Sequence, residues 1–296
     1  MKRFSPLLII IAATLWGTMG LFTRTLTSLG FETFQLVLTR ASLTAVSLII
    51  YLSAFDRDKL KIKLKDLWIF LSAAIISVVL FQYCYTSAIK AGSMSIAATL
   101  LYTSPIFVTI ISAIIFKEKI TPIKIIALAM AFAGCVLVSG LADSGDTISP
   151  KALFLGISSG LTYGLYSIFT KIGIKKYSPL TFTAYTFLFA TLILIPLSDI
   201  RSMSLITASK STNIIMLILF GLVTSVIPYT CFTCGLKYIE ASKANITATI
   251  EPVVATLIGT LVFKEQLSTV SAIGIAAVIL SAIILNVPNR HQKQTS

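Results

Sequence analysis

One acidic residue of this chain lies deep inside a long apolar segment. Glu251 stands about nine residues from the nearer end of the apolar run 242–263, roughly 14 Å at the helical rise. A charge at that depth of a bilayer costs on the order of 2.5–3.5 kcal/mol unless it is paired, hydrated or protonated. Two interpretations follow: Glu251 is a cation ligand or proton-coupling group, or it is a protonated carboxyl that hydrogen-bonds a neighbouring helix.

A single basic residue occupies a comparable depth. Arg40 stands about six residues inside the apolar run 34–54, and its depth of about 10 Å only partly permits its side chain to reach the lipid headgroups. Its guanidinium group can bind a substrate carboxylate or pair with Glu251. The position of Arg40 in the sequence is compatible with either role.

Aromatic side chains form the third group of candidates. Trp16 and Tyr163 lie near the middle of their runs, and Asn245 and Gln82 add polar groups that need partners in an apolar environment. Aromatic faces beside one carboxylate can form a cage for an organic cation. Packing is the alternative for each, and an interfacial belt is the alternative for Tyr229. The remaining aromatic candidates are Tyr83, Tyr85, Tyr102 and Tyr166.

Other chemistry finds no support in the residue types. The pair Cys231 and Cys234 lies in an apolar run without a second ligand pair, and the single histidine, His291, is in the tail. The sequence contains no P-loop pattern for ATP and no cluster of acids and histidines suited to an enzyme. We therefore expect no enzymatic activity, no metal and no cofactor.

The composition indicates a membrane protein. Of the 296 residues 56% are hydrophobic and 12% charged, and mean hydropathy is +0.93. The apolar residues form ten runs, each near the length that a helix needs to cross ~30 Å of hydrocarbon. These runs are 6–24, 34–54, 67–88, 94–116, 122–141, 152–170, 179–198, 213–236, 242–263 and 269–287.

The second half of the chain repeats the first at a constant offset of 147 residues. Each copy contains five runs, and an odd number forces the second copy to enter the membrane inverted. The predicted fold is all-α and integral to the membrane, with ten transmembrane helices in two inverted five-helix repeats. Its predicted segments are the repeats 1–141 and 151–287, the linker 142–150 and a cytoplasmic tail, 288–296. Matched pairs include Trp16 and Tyr163, Arg24 and Lys171, Lys90 and Lys237, Pro105 and Pro252, Glu118 and Glu265.

Proline and glycine predict two local features. Pro105 and Pro252 fall near the middle of runs four and nine, where a proline frees carbonyls one turn earlier and kinks the helix. In lipid such carbonyls persist only where protein or a watery cavity satisfies them, which suits a central site. Gly156, Gly160 and Gly164 form a small-residue ridge, which predicts tight packing inside the bundle.

The positively charged residues behind the net charge of +13 are unevenly distributed between the two sides of the predicted membrane. If the N-terminus is cytoplasmic, 17 of the 24 lysines and arginines lie in inner segments, six in outer segments and Arg40 within a span. This bias predicts an inner or plasma membrane protein with both termini in the cytoplasm, and it explains the basicity without nucleic acid.

The paired motifs resemble a known family. Glu251-Pro252 followed by Phe263-Lys264-Glu265, its copy Pro105 with Phe116-Lys117-Glu118, Trp16-Gly17 and Arg40 resemble the EamA-type transporters of the drug/metabolite transporter superfamily. The resemblance implies a central cavity lined by spans one to four and six to nine, and transport of small metabolites, often as export. Ser104 departs from the symmetric pattern, because it stands opposite Glu251 in the first copy.

These observations predict a secondary transporter that moves a small organic metabolite, such as an amino acid or an amine, by alternating access. Export is slightly favoured, and proton coupling through Glu251 is one alternative. An importer of a quaternary or other organic cation is the second candidate, and a channel-like or non-transporting scaffold is the third. The predicted partners are a small-molecule substrate and the lipid bilayer, and the chain is expected to be a monomer or weak homodimer.

The charge bias makes the topology testable. With the linker outside, a cysteine introduced by Ser144→Cys should react with an impermeant maleimide in intact cells, whereas Lys61→Cys should react only after the cells are opened. The reverse labelling pattern would overturn the orientation.

Overall fold

The computed structural model describes residues 4–141 and 147–286, and this part of the chain is helical without strands. Nine of its helices are long and apolar enough to cross a membrane, and one further apolar helix, Pro122–Val138, is shorter. The predicted all-α, ten-helix architecture is confirmed. The helices are α1 Ser5–Ser28, α2 Thr33–Phe55, α3 Leu64–Ala91, α4 Met94–Phe116, α5 Pro122–Val138, α6 Pro150–Gly173, α7 Pro179–Leu197, α8 Ser211–Leu236, α9 Ala241–Phe263 and α10 Thr269–Asn286.

Two of the predicted segments reach beyond these residues. Linker residues 142–146 and the predicted tail 288–296, with His291, lie outside the described part of the chain. A short surface helix, Ile200–Ser209, connects α7 to α8 and is not among the ten predicted spans.

Local sequence sets where several helices begin. The side chains of Thr121, Ser149 and Ser178 each accept a hydrogen bond from a backbone N–H in the first turn of α5, α6 and α7. A proline follows each of these caps, and its fixed φ and missing N–H suit the first helical position. The cap and proline pairs therefore fix the starts of three helices independently of tertiary contacts.

Two helices are broken at matching positions. α4 is interrupted between Leu101 and Ser104, next to Pro105, and α9 is interrupted at Thr249, between Ala248 and Ile250. Threonine hydroxyls satisfy carbonyls at the breaks: Thr103 Oγ1 donates to the Leu100 carbonyl at 2.6 Å, and Thr249 Oγ1 to the Ile246 carbonyl at 2.7 Å. The irregular backbone is thus partly satisfied within its own helix.

The two halves interlock with the symmetry of the repeat. α1 of the first half packs against α8 and α9 of the second, and α6 of the second half packs against α3 and α4 of the first. α2 packs against α7, while α5 and α10 pack mainly against each other. Matching π-helical turns occur in α3 at Ile75–Leu80 and in α8 at Leu222–Val226. The centre of the bundle is therefore formed between the halves.

The glycine ridge of α6 packs against α4 at its break. A Cβ atom at Gly160 would lie 2.8 Å from the Leu100 carbonyl oxygen, and one at Gly164 would lie 2.9 Å from Ser104 Oγ. These approaches leave no room for a side chain larger than hydrogen. The ridge is used for packing inside the bundle.

Gly160→Ala should destabilise the protein. The added methyl group meets backbone atoms, so that we expect a loss of roughly 1–3 kcal/mol in unfolding free energy, the usual cost of overpacking. Gly20→Ala is the matched control, since among the described residues no atom lies within 4 Å of a Cβ atom there. Denaturant unfolding in detergent micelles measures both. Equal unfolding midpoints would show that α4 and α6 separate freely at this contact.

Candidate functional site

Two small cavities adjoin at the centre of the bundle, where both are lined by Ser77 and Tyr229. In this conformation both are narrow, and each leaves room for about one water-sized molecule. The other residues of the first, the aromatic cavity, are Trp16, Tyr163, Tyr166, Ser167, Phe232, Asn245 and Ala248. The other residues of the second, the arginine cavity, are Val37, Arg40, Val78, Phe81, Gln82 and Phe187.

Aromatic rings from both halves surround the shared wall. The Trp16 ring lies 5.1 Å from Tyr229 and 5.3 Å from Phe232, measured between centroids. Tyr229 also contacts Tyr166 at 5.1 Å and Phe187 at 4.6 Å, both edge to face, the preferred geometry of aromatic pairs. Tyr229 is thus central, and the interfacial-belt interpretation of this residue does not hold.

The carboxyl group of Glu251 lies beside the aromatic cavity. Tyr163 Oη donates a hydrogen bond to Glu251 Oε2 at 3.2 Å, which links the carboxyl group to the cavity wall. Glu251 is in the first turn after the break of α9. α1 can approach closely here, because a Cβ atom at Gly17 would lie 2.8 Å from the Glu251 carbonyl oxygen.

Arg40 is buried on the opposite side of the shared wall. Its Nη2 donates to the Thr224 carbonyl at 3.1 Å, in the π-helical turn of α8, and its Nη1 to Met19 Sδ at 3.3 Å. Arg40 forms no ion pair with Glu251 within the described residues. Pairing with Glu251, one of the two alternatives, is therefore not formed in this structure, and contact with a substrate carboxylate stays a prediction.

Three buried polar atoms of the two cavities have no partner. Trp16 Nε1, Ser77 Oγ and Arg40 Nε make no hydrogen bond within the described part of the chain, although the side chains are only 6%, 3% and 9% exposed. Buried polar groups in folded proteins are nearly always paired, because an unpaired one costs about 1–3 kcal/mol. Each of these atoms can donate a hydrogen bond to a water or to another small molecule in the cavities.

The remaining predicted residues divide between the cavity and its surroundings. Asn245 lines the aromatic cavity and donates to Ser167 Oγ at 2.7 Å. Tyr85 stacks on Phe81 behind the arginine cavity. Tyr102 packs in a separate cluster with Cys135 and Val253, and Tyr83 is exposed; neither lines the two cavities.

Sequence reasoning did not identify seven of the lining residues: Val37, Ser77, Val78, Phe81, Ser167, Phe187 and Phe232. Serine, valine and phenylalanine are frequent along the apolar runs, so their types carry no signal. One signal was available for Ser77: its copy at the 147-residue offset, Thr224, is also a hydroxyl residue in an apolar run. In the structure both lie in the matching π-helical turns, and the Thr224 carbonyl accepts a hydrogen bond from Arg40.

Ten helices in two interlocked copies around central, partly polar cavities define a multi-pass membrane protein of the transporter class. The chain belongs to the EamA-like transporter family, whose model matches residues 3–140 and 150–287. The family resemblance predicted from the sequence is thereby confirmed.

Similar proteins agree with this assignment. The chain is 26% identical over 292 residues to an uncharacterized transporter of Archaeoglobus fulgidus, with 96% of each chain covered. It is 26% identical over 293 residues to the uncharacterized transporter YwfM of Bacillus subtilis, covering 97% of this chain and 95% of that protein. A solved crystal structure that is 18% identical superposes with a TM-score of 0.79 and covers 98% of both chains, which supports the fold alone.

The unpartnered hydroxyl of Ser77 gives a test of the cavity. Ser77→Ala removes a buried group without a partner, so we expect unfolding free energy to stay unchanged or rise by up to about 1 kcal/mol, while ligand affinity falls. The control is Ser159→Ala, which breaks the 2.7 Å bond to the Gly156 carbonyl and should lower stability without affecting ligand. Chemical unfolding and ligand-induced thermal shift measure the two effects. Normal ligand affinity in Ser77→Ala would exclude this hydroxyl from the site.

Proposed function

We propose that this protein is a secondary transporter that moves a small organic metabolite, such as an amino acid or an amine, across the cell membrane by alternating access. Export is favoured over import, with both termini in the cytoplasm. The observation that carries the proposal is a set of buried donors on residues that line the cavities between the two halves: Trp16 Nε1, Ser77 Oγ and Arg40 Nε have no hydrogen-bond partner among the described residues. Family membership supports the same conclusion.

The chemistry of the cavities supports a substrate with both polar and apolar parts. Indole and guanidinium N–H groups, on Trp16 and Arg40, can donate to a carboxylate or carbonyl oxygen. The faces of Tyr166 and Tyr229 can contact an apolar or cationic part. Because both cavities are narrow here, a substrate would enter them when the two halves move apart.

Alternating access follows from the placement of the cavity. α1 contacts α8 and α9, and α6 contacts α3 and α4, so that the cavity walls come from both halves. Rocking one half against the other would open these walls first to one side of the membrane and then to the other. The same aromatic and guanidinium groups would then contact the substrate in both states.

A specific observation favours the second candidate, transport of a quaternary or other organic cation. Trp16, Tyr166 and Tyr229 form an aromatic cluster, and Tyr163 connects it to the carboxyl group of Glu251. A cation held by ring faces near one carboxylate needs no hydrogen bond from the ligand. Arg40 opposes this candidate, because its positive charge adjoins the same wall.

The proposal is tested in two steps. The purified protein is first screened by thermal shift against amino acids, quaternary amines, polyamines and nucleotides, since a ligand of the folded state raises the melting temperature by mass action. Each ligand found is then tested for counterflow in proteoliposomes. A ligand that stabilises the protein but is never exchanged would indicate a binding scaffold instead of a transporter.

Glu251 is proposed as the proton-coupling group, because it lies beside the substrate cavity and Tyr163 is its hydrogen-bond donor. Glu251→Gln keeps the shape and can still accept the tyrosine bond, but it cannot ionise. We expect normal folding, loss of the pH dependence of flux, and a flux lower by roughly tenfold or more at the optimum pH, within the usual range of coupling free energies.

The matched control for this experiment is Asp58→Asn, since Asp58 is exposed and pairs with Lys61 away from the cavity. Its flux should follow the wild-type pH profile. If Glu251→Gln also reproduces the wild-type flux and pH profile, Glu251 has no part in coupling.

A further inference from the structure

The ends of α4 and α9 have the same local structure at the 147-residue offset. Lys117 and Lys264 both adopt the left-handed conformation, with φ of 55° and 57°. After them, the Glu118 N–H donates to the Ser112 carbonyl at 3.3 Å and the Glu265 N–H to the Gly259 carbonyl at 3.2 Å. Glu118 and Glu265 are therefore equivalent carboxylates that follow equivalent helix ends, on opposite faces of the membrane.

The carboxylate of Glu118 caps a helix of the other half. It accepts hydrogen bonds from the Ala241 N–H at 2.7 Å, the Ser242 N–H at 3.2 Å and Ser242 Oγ at 2.5 Å. The first N–H groups of a helix lack partners within it, and they attract negative charge. This contact, the Glu118 cap, joins α4 to α9 on the face where α1 begins, which we name the N-terminal face.

The equivalent carboxylate on the opposite face, the linker face where α6 begins, has a different partner. Glu265 pairs with Arg24 at 2.8 Å, and both side chains are about half exposed, at 50% and 52%. Repeat symmetry would place it on Met94 and Ser95 at the start of α4, but within the described residues it accepts no bond from either. Met94 is 62% exposed. The cap on this face is not formed.

In an inverted repeat, exchanging the conformations of the two halves produces the state that faces the opposite side. We propose, resting on the transport function above, that Glu118 and Glu265 are the alternating caps of the transport cycle. In the opposite state Glu265 caps α4 at Met94 and Ser95, and Glu118 is released. Neither residue is among the described residues that line the two cavities; both act by positioning α4 and α9.

The contacts of the basic residues agree with this exchange. The Arg24 guanidinium lies 4.5 Å from the centre of the Phe263 ring, and on the opposite face Lys175 Nζ lies 5.0 Å from that of Phe116, the repeat partner of Phe263. Lys171, the repeat partner of Arg24, is one helical turn before Lys175. A released Glu118 carboxylate thus has cations near it, as Glu265 now has Arg24.

The N-terminal face carries an additional contact between the halves. Lys124 Nζ pairs with Glu240 at 2.6 Å, and the lysine side chain is only 8% exposed. The repeat partners of these residues, Ser271 and Ser93, are uncharged. The N-terminal face therefore has the stronger closure, and the state closed there should be the resting state.

The repeat supplies a matched pair of distance reporters. Lys119 and Lys237 are exposed near the Glu118 cap, and their repeat partners, Gln266 and Lys90, are exposed on the linker face. Each pair is replaced by spin-labelled cysteines in the full chain, in a background without the native Cys84, Cys135, Cys231 and Cys234. Pulsed electron paramagnetic resonance in nanodiscs then gives the distance distribution on each face.

Glu118→Ala should open the N-terminal face. We expect the population with the short Lys119–Lys237 distance to fall roughly tenfold or more relative to the population with the long distance, because a hydrogen bond to a charged group is lost. The Gln266–Lys90 distance should shorten. Glu265→Ala should do the opposite, leaving the N-terminal face closed and removing the short Gln266–Lys90 distance. Asp58→Ala, an exposed carboxylate on the N-terminal face, should change neither distribution.

If Glu118→Ala does not fold, Glu118→Gln keeps a neutral acceptor and should shift the same distances in the same direction by less. Wild-type distributions in both folded variants, Glu118→Gln and Glu265→Ala, would overturn the proposal. The readout needs no substrate: shifted distances without measurable counterflow would contradict the transport function alone. Normal counterflow with unshifted distances would contradict the caps alone.

Discussion

Every backbone polar group inside a bilayer must find its partner within the protein, and the architecture of this transporter depends on that constraint. Unbroken helices meet it without further contacts. The broken helices α4 and α9 meet it through the hydroxyls of Thr103 and Thr249 and through close packing of neighbouring helices. Irregular backbone therefore occurs where both halves surround it, and the centre of the bundle becomes the place where polar groups can be held.

The candidate site follows from these breaks. Because α9 restarts at Ile250, Glu251 sits in a first helical turn, and Tyr163 reaches its carboxyl group from α6. The π-helical turn of α8 similarly presents the Thr224 carbonyl to Arg40. The matching π-helical turn of α3 contains Ser77, whose hydroxyl has no hydrogen-bond partner among the described residues.

The two copies have similar sequences, but equivalent residues in them make different contacts. The ends of α4 and α9 are alike in backbone, yet Glu118 binds a helix start while Glu265 binds Arg24 on the opposite face. Identical local structure with different partners is expected when two equivalent elements occupy two steps of one cycle. A transporter built from inverted copies can use one set of interactions twice, once on each side of the membrane.

Sequence alone determined the ten spans, the repeat and the starts of several helices, because apolar length, a constant offset and cap-proline pairs such as Ser149-Pro150 act locally. It also identified Glu251 and Trp16 as central candidates, since a deep charge or indole is conspicuous in an apolar run. Only the tertiary structure decided which side chains share a wall. The rotation of each helix about its axis and its distance from its neighbours come from packing across the whole bundle. For that reason the cavity position of Ser77, the separation of Arg40 from Glu251 and the Glu118 cap could not be predicted from residue types.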